Sequence, residues 1–522
     1  MVSRRQRILW VDDEIDLLRP HILYLEGKGY HVTPVSNGAD AIDLIDKEIF
    51  DVVLLDEMMP GMGGLEVLEE IKIRRRLLPV IMITKSEEEN LMNEALGHRI
   101  SDYLIKPVNP SQIFLACKKL FEAKNLERGT AVRDYVRELG EAPGSDISDL
   151  TNWSEWVDFY RRHVRWDLEL DRIEEAGLQE AHHAQLAEAN RLFCRFVEEN
   201  YPAWVSGEDE KSPPMSPDVI PRYVVPHLNA GRKVALIVID CLRLDEWQVL
   251  ESLLPAHSRI DHDLCCSILP TATAYGRNSI FSGLYPDDIA RIYPEFWREV
   301  QNNEEGKNLF EREMLLAQLD NHKISREGIQ YKKIVGTMDA EDLMRQIGSY
   351  SDLDLVALVF TFVDFFTHSR SRNSILKEFA QDFSALRAHL RTWFERSALM
   401  EALRELGGQD RVIVVTTDHG SIQVRRPALV KADRDISAGV RFKVGKAPYC
   451  DFDKAMRIKN PKDYRLPMGG MLKNYIIAKD DYFFVYPTNR NEHSRKLRFS
   501  LQHGGMSMEE MIVPVATIHP LD

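Results

Sequence analysis

Two stretches far apart in this chain share one design, an apolar run that stops on acids. "ILWVDDE" (8–14) closes on Asp12 and Asp13, and "VIVVTTDHGS" (412–421) closes on Asp418, His419 and Gly420. Short apolar runs that alternate with helical patterns imply parallel α/β sheets covered on both faces. In such a sheet the strand C-termini gather at one edge, and ligands bind there. Acids that close several strands therefore describe one site rather than several loops.

The runs fall into two groups. In residues 1–122 they are "ILWV" (8–11), "VVLL" (52–55), "VIMI" (80–83) and "YLI" (103–105). In 219–522 they are "VALIVI" (234–239), "LVALVFTFV" (355–363), "VIVVTT" (412–417), "YFFVY" (482–486) and "MIVPVATI" (511–518). Between them, 123–205 has almost no strand signal. There Trp153, Trp156, Tyr160 and Val164 recur at helical spacing, an amphipathic stripe that reads as core packing in a helical connector. Residues 206–218, "SGEDEKSPPMSPD", have linker composition. At 522 residues the chain is too long for one ordinary domain, so this three-part division is expected.

Composition excludes several classes. No apolar run approaches the ~20 residues needed to cross a bilayer. "MVSRRQRILWVDDE" has basic residues but meets acids too early for a signal-peptide core, so a cytoplasmic protein is expected. Six cysteines without C-x-x-C pairing point to neither a disulfide framework nor a cysteine zinc site. A formal charge of −15 opposes unspecific adhesion to nucleic acid, without excluding a local basic groove.

The first acidic edge gathers Asp12 and Asp13, Asp56 after "DVVLL", Thr84 after "VIMI", and Lys106 before Pro107. Three carboxylates suit Mg²⁺, a hard cation that prefers oxygen. A hydroxyl and an ammonium beside them can hold the oxygens of a phosphoryl group. This order, with "DEMMPGMGG" following, resembles the receiver domain of bacterial response regulators. The resemblance implies a flavodoxin-like doubly wound parallel sheet and phosphorylation of Asp56 by a sensor histidine kinase. It also implies Mg²⁺ on Asp12, Asp13, Asp56 and the Met58 carbonyl, phosphoryl sensing by Thr84 and Lys106, and Tyr103 as the switch aromatic. The basic run "KIRRR" (72–76) reads as a solvated helix face, and no short basic DNA-reading module follows.

The second edge has Asp240, Asp364 and Asp418, and adds imidazoles. His368 lies four residues after Asp364, one helical turn, so both can face one ion. His419 follows Asp418, and His503 stands in "LQHGGMSMEEMIVP". Mixed carboxylate and imidazole ligands suit Zn²⁺, with Mn²⁺ as second choice. Two ions can clamp both the attacking and the leaving oxygen of a phosphoryl transfer. "LPTATAYGRNSIFSGLYP" (269–286) supplies two hydroxyls, Thr271 and Thr273, before an expected helix whose N-terminal N–H groups favour an anionic phosphate.

Strand-end Asp, P-x-x-T, D-x-x-x-H, D-H-G and a late H-G-G together resemble the alkaline phosphatase superfamily over about 230–515, and "DCLRLDEW" is similar to its PglZ branch. The resemblance implies a larger alkaline-phosphatase-like α/β domain. One metal would sit on Asp364, His368 and His503, and the other on Asp240, Asp418, His419 and the nucleophile. Phosphodiesterases of the superfamily carry the nucleophile three residues after the proline, here Thr273, with Thr271 as runner-up. A sulfatase is excluded because no C-x-P-x-R site is present.

The combination of receiver, helical connector and PglZ-like domain is similar to response regulators of type IX protein secretion. The reading is thus a response regulator whose output is a metal-dependent phosphodiesterase on nucleotides or oligonucleotides, with a phosphorylation-linked homodimer. The competing reading is a regulator whose metal domain is a scaffold for a sigma factor or promoter DNA. An intact nucleophile motif favours the enzyme.

Overall fold

The computed structural model describes residues 5–75, 78–85, 100–141, 147–173, 176–255, 259–297, 308–372, 383–431, 439–468, 474–487 and 490–520. Within these, the side chains of 122–128, 139–141, 176, 368–372 and 490 are outside the described set. The chain divides into two compact units, Met1–Glu138 and Leu139–Asp522.

The first unit is a five-stranded sheet of β1 (Arg7–Val11), β2 (His31–Val35), β3 (Val52–Asp56), β4 (Val80–Thr84) and β5 (Asp102–Ile105). Its order is β2-β1-β3-β4-β5 with every pair parallel. Side chains alternate faces along a strand, and here both faces are apolar. Leu9, Val11, Val53, Leu55 and Val80 pack against helices Gly38–Lys47 and Gly64–Arg74 through Ala41, Ile45, Val67 and Ile71. Ile8, Trp10, Val52, Leu54 and Ile81 meet Leu25, Ile113 and Cys117 on the opposite face. Two covered faces are what turn these strands into continuous apolar runs. The second strand, "HVTPV", escaped the sequence reading because it lies at the edge, where Pro34 and an exposed His31 interrupt the pattern.

The second unit contains β6 (Val234–Ile239), β7 (Ile260–Cys266), β8 (Ile329–Ile334), β9 (Leu355–Phe360), β10 (Val412–Thr416), β11 (Ile422–Gln423), β12 (Arg426–Leu429), β13 (Phe442–Gly445), β14 (Ala455–Ile458), β15 (Asn474–Ala478), β16 (Tyr482–Val485), β17 (Leu501–Gln502) and β18 (Ile512–Ile518). Its main sheet runs β7-β18-β10-β6-β9-β8. β8, β9, β6 and β10 are parallel, whereas β18 is antiparallel to both its neighbours. Val412 pairs with Val234 and Val234 with Leu355, so the register carries Asp240 and Asp418 side by side past the strand ends. The strand expected over 355–363 stops at Phe360, and a helix, Phe362–Arg372, begins there. Starting the helix early lays the Phe362 ring on Trp393, centroids 3.8 Å apart, and puts Asp364 in its first turn.

Helices Trp153–Ile173 and Ala176–Ser206 supply Trp156, Tyr160, Phe193 and Trp204 to the same apolar cluster as β6, β9 and β10. The end of the linker-like stretch is packed as well, with Met215, Ser216 and Pro217 buried and the Cys266 N–H donating to the Pro214 carbonyl. Among the described residues no helix is long and apolar enough to cross a membrane.

Candidate functional site

At the receiver edge, ligand oxygens of Asp12, Asp13 and Asp56 lie within 4.8 Å of one another. Asp12 and Asp56 are buried, and Asp13 is exposed. The Lys106 ammonium reaches both buried acids, 3.1 Å from Asp12 and 2.9 Å from Asp56. Burial raises the Asp56 carboxyl against the lowering effect of Lys106, with Asp12 adding to the rise. Burial alone would lower Lys106, yet its bonds to Asp56 and Asp12 leave it raised. The Thr84 hydroxyl donates to the Glu57 carboxylate, and Tyr103 is 48% exposed, ring outward. Glu57 is a partner that sequence reading missed, because it stands inside the "DEMMP" motif as an unassigned acid.

The heart of the second edge is sealed. Asp418 and His419 are 0% exposed and Asp240 is 3% exposed. Each offers one ligand atom, all within 4.8 Å of one another. Asp240 Oδ1 and Asp418 Oδ2 have no hydrogen-bond partner among the described residues, while the His419 Nε2 lies 4.0 and 3.8 Å from those two carboxylates. Burial pushes the Asp240 carboxyl up to about 8, with Asp418 adding to the rise. Burial likewise raises Asp418 and lowers His419. Desolvated carboxylates with open oxygens are costly unless a cation meets them. The donor set fits a Zn²⁺- or Mn²⁺-type ion.

The tautomers agree with this. His419 Nδ1 is 3.0 Å from the Gly420 carbonyl, which can only accept, so Nδ1 carries the proton and Nε2 presents its lone pair to the acids. His503 is held in the same way, Nδ1 3.2 Å from the Thr271 carbonyl, with its Nε2 3.6 Å from Asp364. The His419 and His503 rings stack at 4.2 Å, bringing the two expected ligand groups together. His368 lies in the Phe362–Arg372 helix, but its side chain is outside the described residues.

The two threonines occupy different chemistry. Thr273 opens the Thr273–Ser282 helix, and its hydroxyl is 3.1 Å from His419 Nε2. Thr271 is fully buried; its hydroxyl donates to the Gly505 carbonyl at 2.7 Å and accepts from the Gly504 N–H at 3.1 Å. Thr271 thus fastens the H-G-G turn. Gly276, one turn inside the helix, has to be glycine: a Cβ there would lie 2.6 Å from the Asp418 carbonyl oxygen. That close approach sets Thr273 over the acids.

Arg277, four residues beyond Thr273 on the same helix, is buried and bridges Asp240 and Glu311. It occupies Asp240 Oδ2 and leaves Oδ1 facing the centre. Glu311 also accepts from the Tyr331 hydroxyl. Neither Arg277 nor Glu311 was found from sequence, since nothing in a linear pattern marks a buried guanidinium; the i, i+4 spacing from Thr273 was the one available signal. "DCLRLDEW" is accounted for in part: Arg243 pairs with Asp245, which meets Arg387, and Arg387 also holds Asp167 and Asp171 of the Trp153–Ile173 helix.

The geometry defines a class, an acid-edged receiver joined to an alkaline-phosphatase-like centre, and the comparisons agree. Family models match in chain order: a response regulator receiver domain at 8–118, a PorX response regulator linker domain at 126–205, and a BREX system PglZ alkaline phosphatase-like domain at 219–518. The chain belongs to the PglZ alkaline phosphatase-like family and is built as a PorX-like response regulator. Its receiver is similar to that of the alginate biosynthesis transcriptional regulatory protein AlgB of Pseudomonas aeruginosa, 33% identical over 140 residues, 27% of this chain and 31% of that one. It is similar also to the response regulator SaeR of Staphylococcus aureus, 34% identical over 150 residues, 29% of this chain and 62% of the relative. The match thus spans under two thirds of the length of these relatives. Among solved structures, a CheY-like receiver from Methanospirillum hungatei JF-1 is 29% identical and covers 24% of this chain and 98% of that one, with a TM-score of 0.23.

Proposed function

We propose that this chain is a two-component response regulator of the cytoplasm, phosphorylated on Asp56 by a sensor histidine kinase, whose output is a zinc-dependent phosphodiesterase acting on nucleotides or oligonucleotides. The observation that carries this reading is the Thr273 hydroxyl, 3.1 Å from His419 Nε2 at a helix N-terminus above buried acids. Asp240, Asp418 and His419 would hold one ion, and Asp364, His503 and His368 a second. When bound, such ions supply positive charge that lowers the pKa of the nucleophile and balances phosphoryl oxygens.

The chain's own residues do the rest. The helix holds Thr273 at its first turn, where backbone N–H groups meet a phosphate's oxygens. Thr273 Oγ bonds to phosphorus, the ester P–O bond breaks, and the leaving alcohol takes up a proton. Water then attacks the same phosphorus, cleaving its bond to Thr273 and restoring the hydroxyl. Arg277 fixes the Asp240 rotamer throughout. The family resemblance further supports control of type IX secretion as the setting.

The test is a hydrolysis screen of the full chain with bis-p-nitrophenyl phosphate, the monoester, and short linear and cyclic oligonucleotides, with and without zinc. Zinc-dependent turnover of the diester above the monoester is expected. A folded, metal-loaded chain inert toward every diester would instead favour the scaffold reading, in which the domain holds a sigma factor or promoter DNA.

A further inference from the structure

The chain's charge is unevenly placed. Residues 421–502, between the D-H-G motif and His503, carry 18 Lys and Arg against 8 Asp and Glu, a net of +10 in a chain of −15. This segment leaves and returns beside the metal site. β11 starts three residues after His419, pairs antiparallel with β17, and β17 ends next to His503. At this neck stands Phe499, 52% exposed and in the left-handed region at φ 66°. A bulky residue there is an outlier that the surroundings must enforce. Phe499 N donates to Val424 O, and Gln423 Nε2 to Phe499 O, so β11 and its extension hold the strained position. The Arg498 guanidinium lies 4.9 Å from the ring centroid, and exposed Arg425, two residues past the end of β11, donates to the Gln423 side chain.

We propose that Phe499, Arg498 and Arg425 form a track for single-stranded nucleic acid, holding the nucleotides that flank the phosphodiester presented to Thr273. The proposal rests on the nucleotide-hydrolase reading and deepens it. Cations along the neck follow the phosphates, and the aromatic face offers a stacking platform to a base that no duplex exposes. Phe499 and His503 are four positions apart, a span of about 13 Å even fully extended, so one strand can touch both. Electrostatic attraction alone would suit any polyanion; the strained, outward ring is what selects a strand with unstacked bases.

The test uses the full chain carrying Thr273→Val, so that bound strands stay intact. Fluorescence anisotropy with a labelled 12-mer of oligodeoxythymidylate is compared with competition by inorganic polyphosphate and by a duplex. Phe499→Asn keeps a residue that tolerates the left-handed backbone and should weaken oligothymidylate binding about ten-fold while leaving polyphosphate competition unchanged. Arg425→Gln with Arg498→Gln should weaken both ligands and flatten the log–log salt slope by about 1.4. Oligothymidylate binding unmoved by these changes, or a duplex bound more tightly than the single strand, overturns the track. Cleavage by the unsubstituted chain is scored separately. Cleavage with unmoved binding overturns the track alone, and track-dependent binding without cleavage supports it while overturning the hydrolase reading.

Discussion

The receiver edge and the phosphatase-like edge are built alike and behave oppositely. Each gathers acids at the C-terminal ends of parallel strands. In the receiver a lysine of the chain already bridges Asp12 and Asp56, and Asp13 is open to water. In the second unit Asp240 and Asp418 are sealed, Arg277 bonds only the far oxygen of Asp240, and one oxygen of each acid is left near a histidine nitrogen. Charge that a lysine of the chain already balances, with one acid open to water, suits a ligand that comes and goes. Charge that is dry and open calls for a resident ion. The same topology therefore serves the two edges differently according to how fully the chain's own cations satisfy the acids.

Losing the proposed nucleophile should separate the edges most. Thr273→Val keeps the branched shape and removes the attacking oxygen, so diester hydrolysis should fall by on the order of 10⁴-fold or more. Receiver phosphorylation by acetyl phosphate should be unchanged. Thr271→Val removes two hydrogen bonds at the H-G-G turn and should chiefly lower stability. Stopped assays of both variants decide the assignment: a dead Thr271→Val beside an active Thr273→Val would reverse it.

Metal retention comes next. After gel filtration without added metal, elemental analysis should return close to two equivalents of transition metal and no magnesium. Removing the tight ions should cost about 4 kcal/mol of stability for each, the linkage expected for a ligand about a thousand-fold above its Kd. The reading fails with well under one equivalent retained.

What the sequence displayed, and what it hid, follows the same physics. Strand-end acids were legible because a doubly covered strand must be apolar throughout, so the acid that ends it stands out. Strands β7, β8 and β12–β15 were invisible. "IDHDLCC" and "IQYKKI" face water on part of their length, and the others are four or five residues long inside a charged segment. Arg277 and Glu311 were hidden because side-chain burial is a tertiary property. The basic segment 421–502 was concealed by averaging, since a chain total of −15 says nothing of where its charges lie.

Acid should then act on the second unit in particular. His163 and His182 are buried and stacked, centroids 3.6 Å apart, whereas His21 and His31 of the receiver are not fully covered. Burial lowers His182 to about 4, against the pull of Asp167, with His183 and Arg387 adding to the lowering. The unfolded chain protonates this ring at about 6.5, so the folded state binds fewer protons between these values. Stability is full above 6.5 and declines as pH falls toward 4, by about 2 kcal/mol between pH 7 and pH 5 for this group alone. Urea unfolding at the two pH values should show it, and His182→Gln should flatten the dependence. An equal slope in that variant removes His182 as the cause.

The smallest effect is the most informative about signalling. In the receiver the Thr84 hydroxyl is bound to Glu57, and Tyr103 is turned to solvent. A phosphoryl group on Asp56 would compete for that hydroxyl, and an inward turn of the Tyr103 ring is the expected response. Such a switch can shift an equilibrium only by its differential contacts in the two states. A bias of about 1 kcal/mol, roughly five-fold in the dimerisation constant, is the scale expected. Beryllofluoride should therefore raise the dimer fraction in sedimentation velocity, and Asp56→Ala should abolish the response. Hydrolysis should persist at a basal level in Asp56→Ala, because every residue assigned to the second centre lies within 240–503. An unchanged sedimentation profile rejects the dimer switch. Complete loss of hydrolysis in a folded Asp56→Ala chain would reject the separation of the two edges, since a receiver whose acid is indispensable to the other centre is part of that centre.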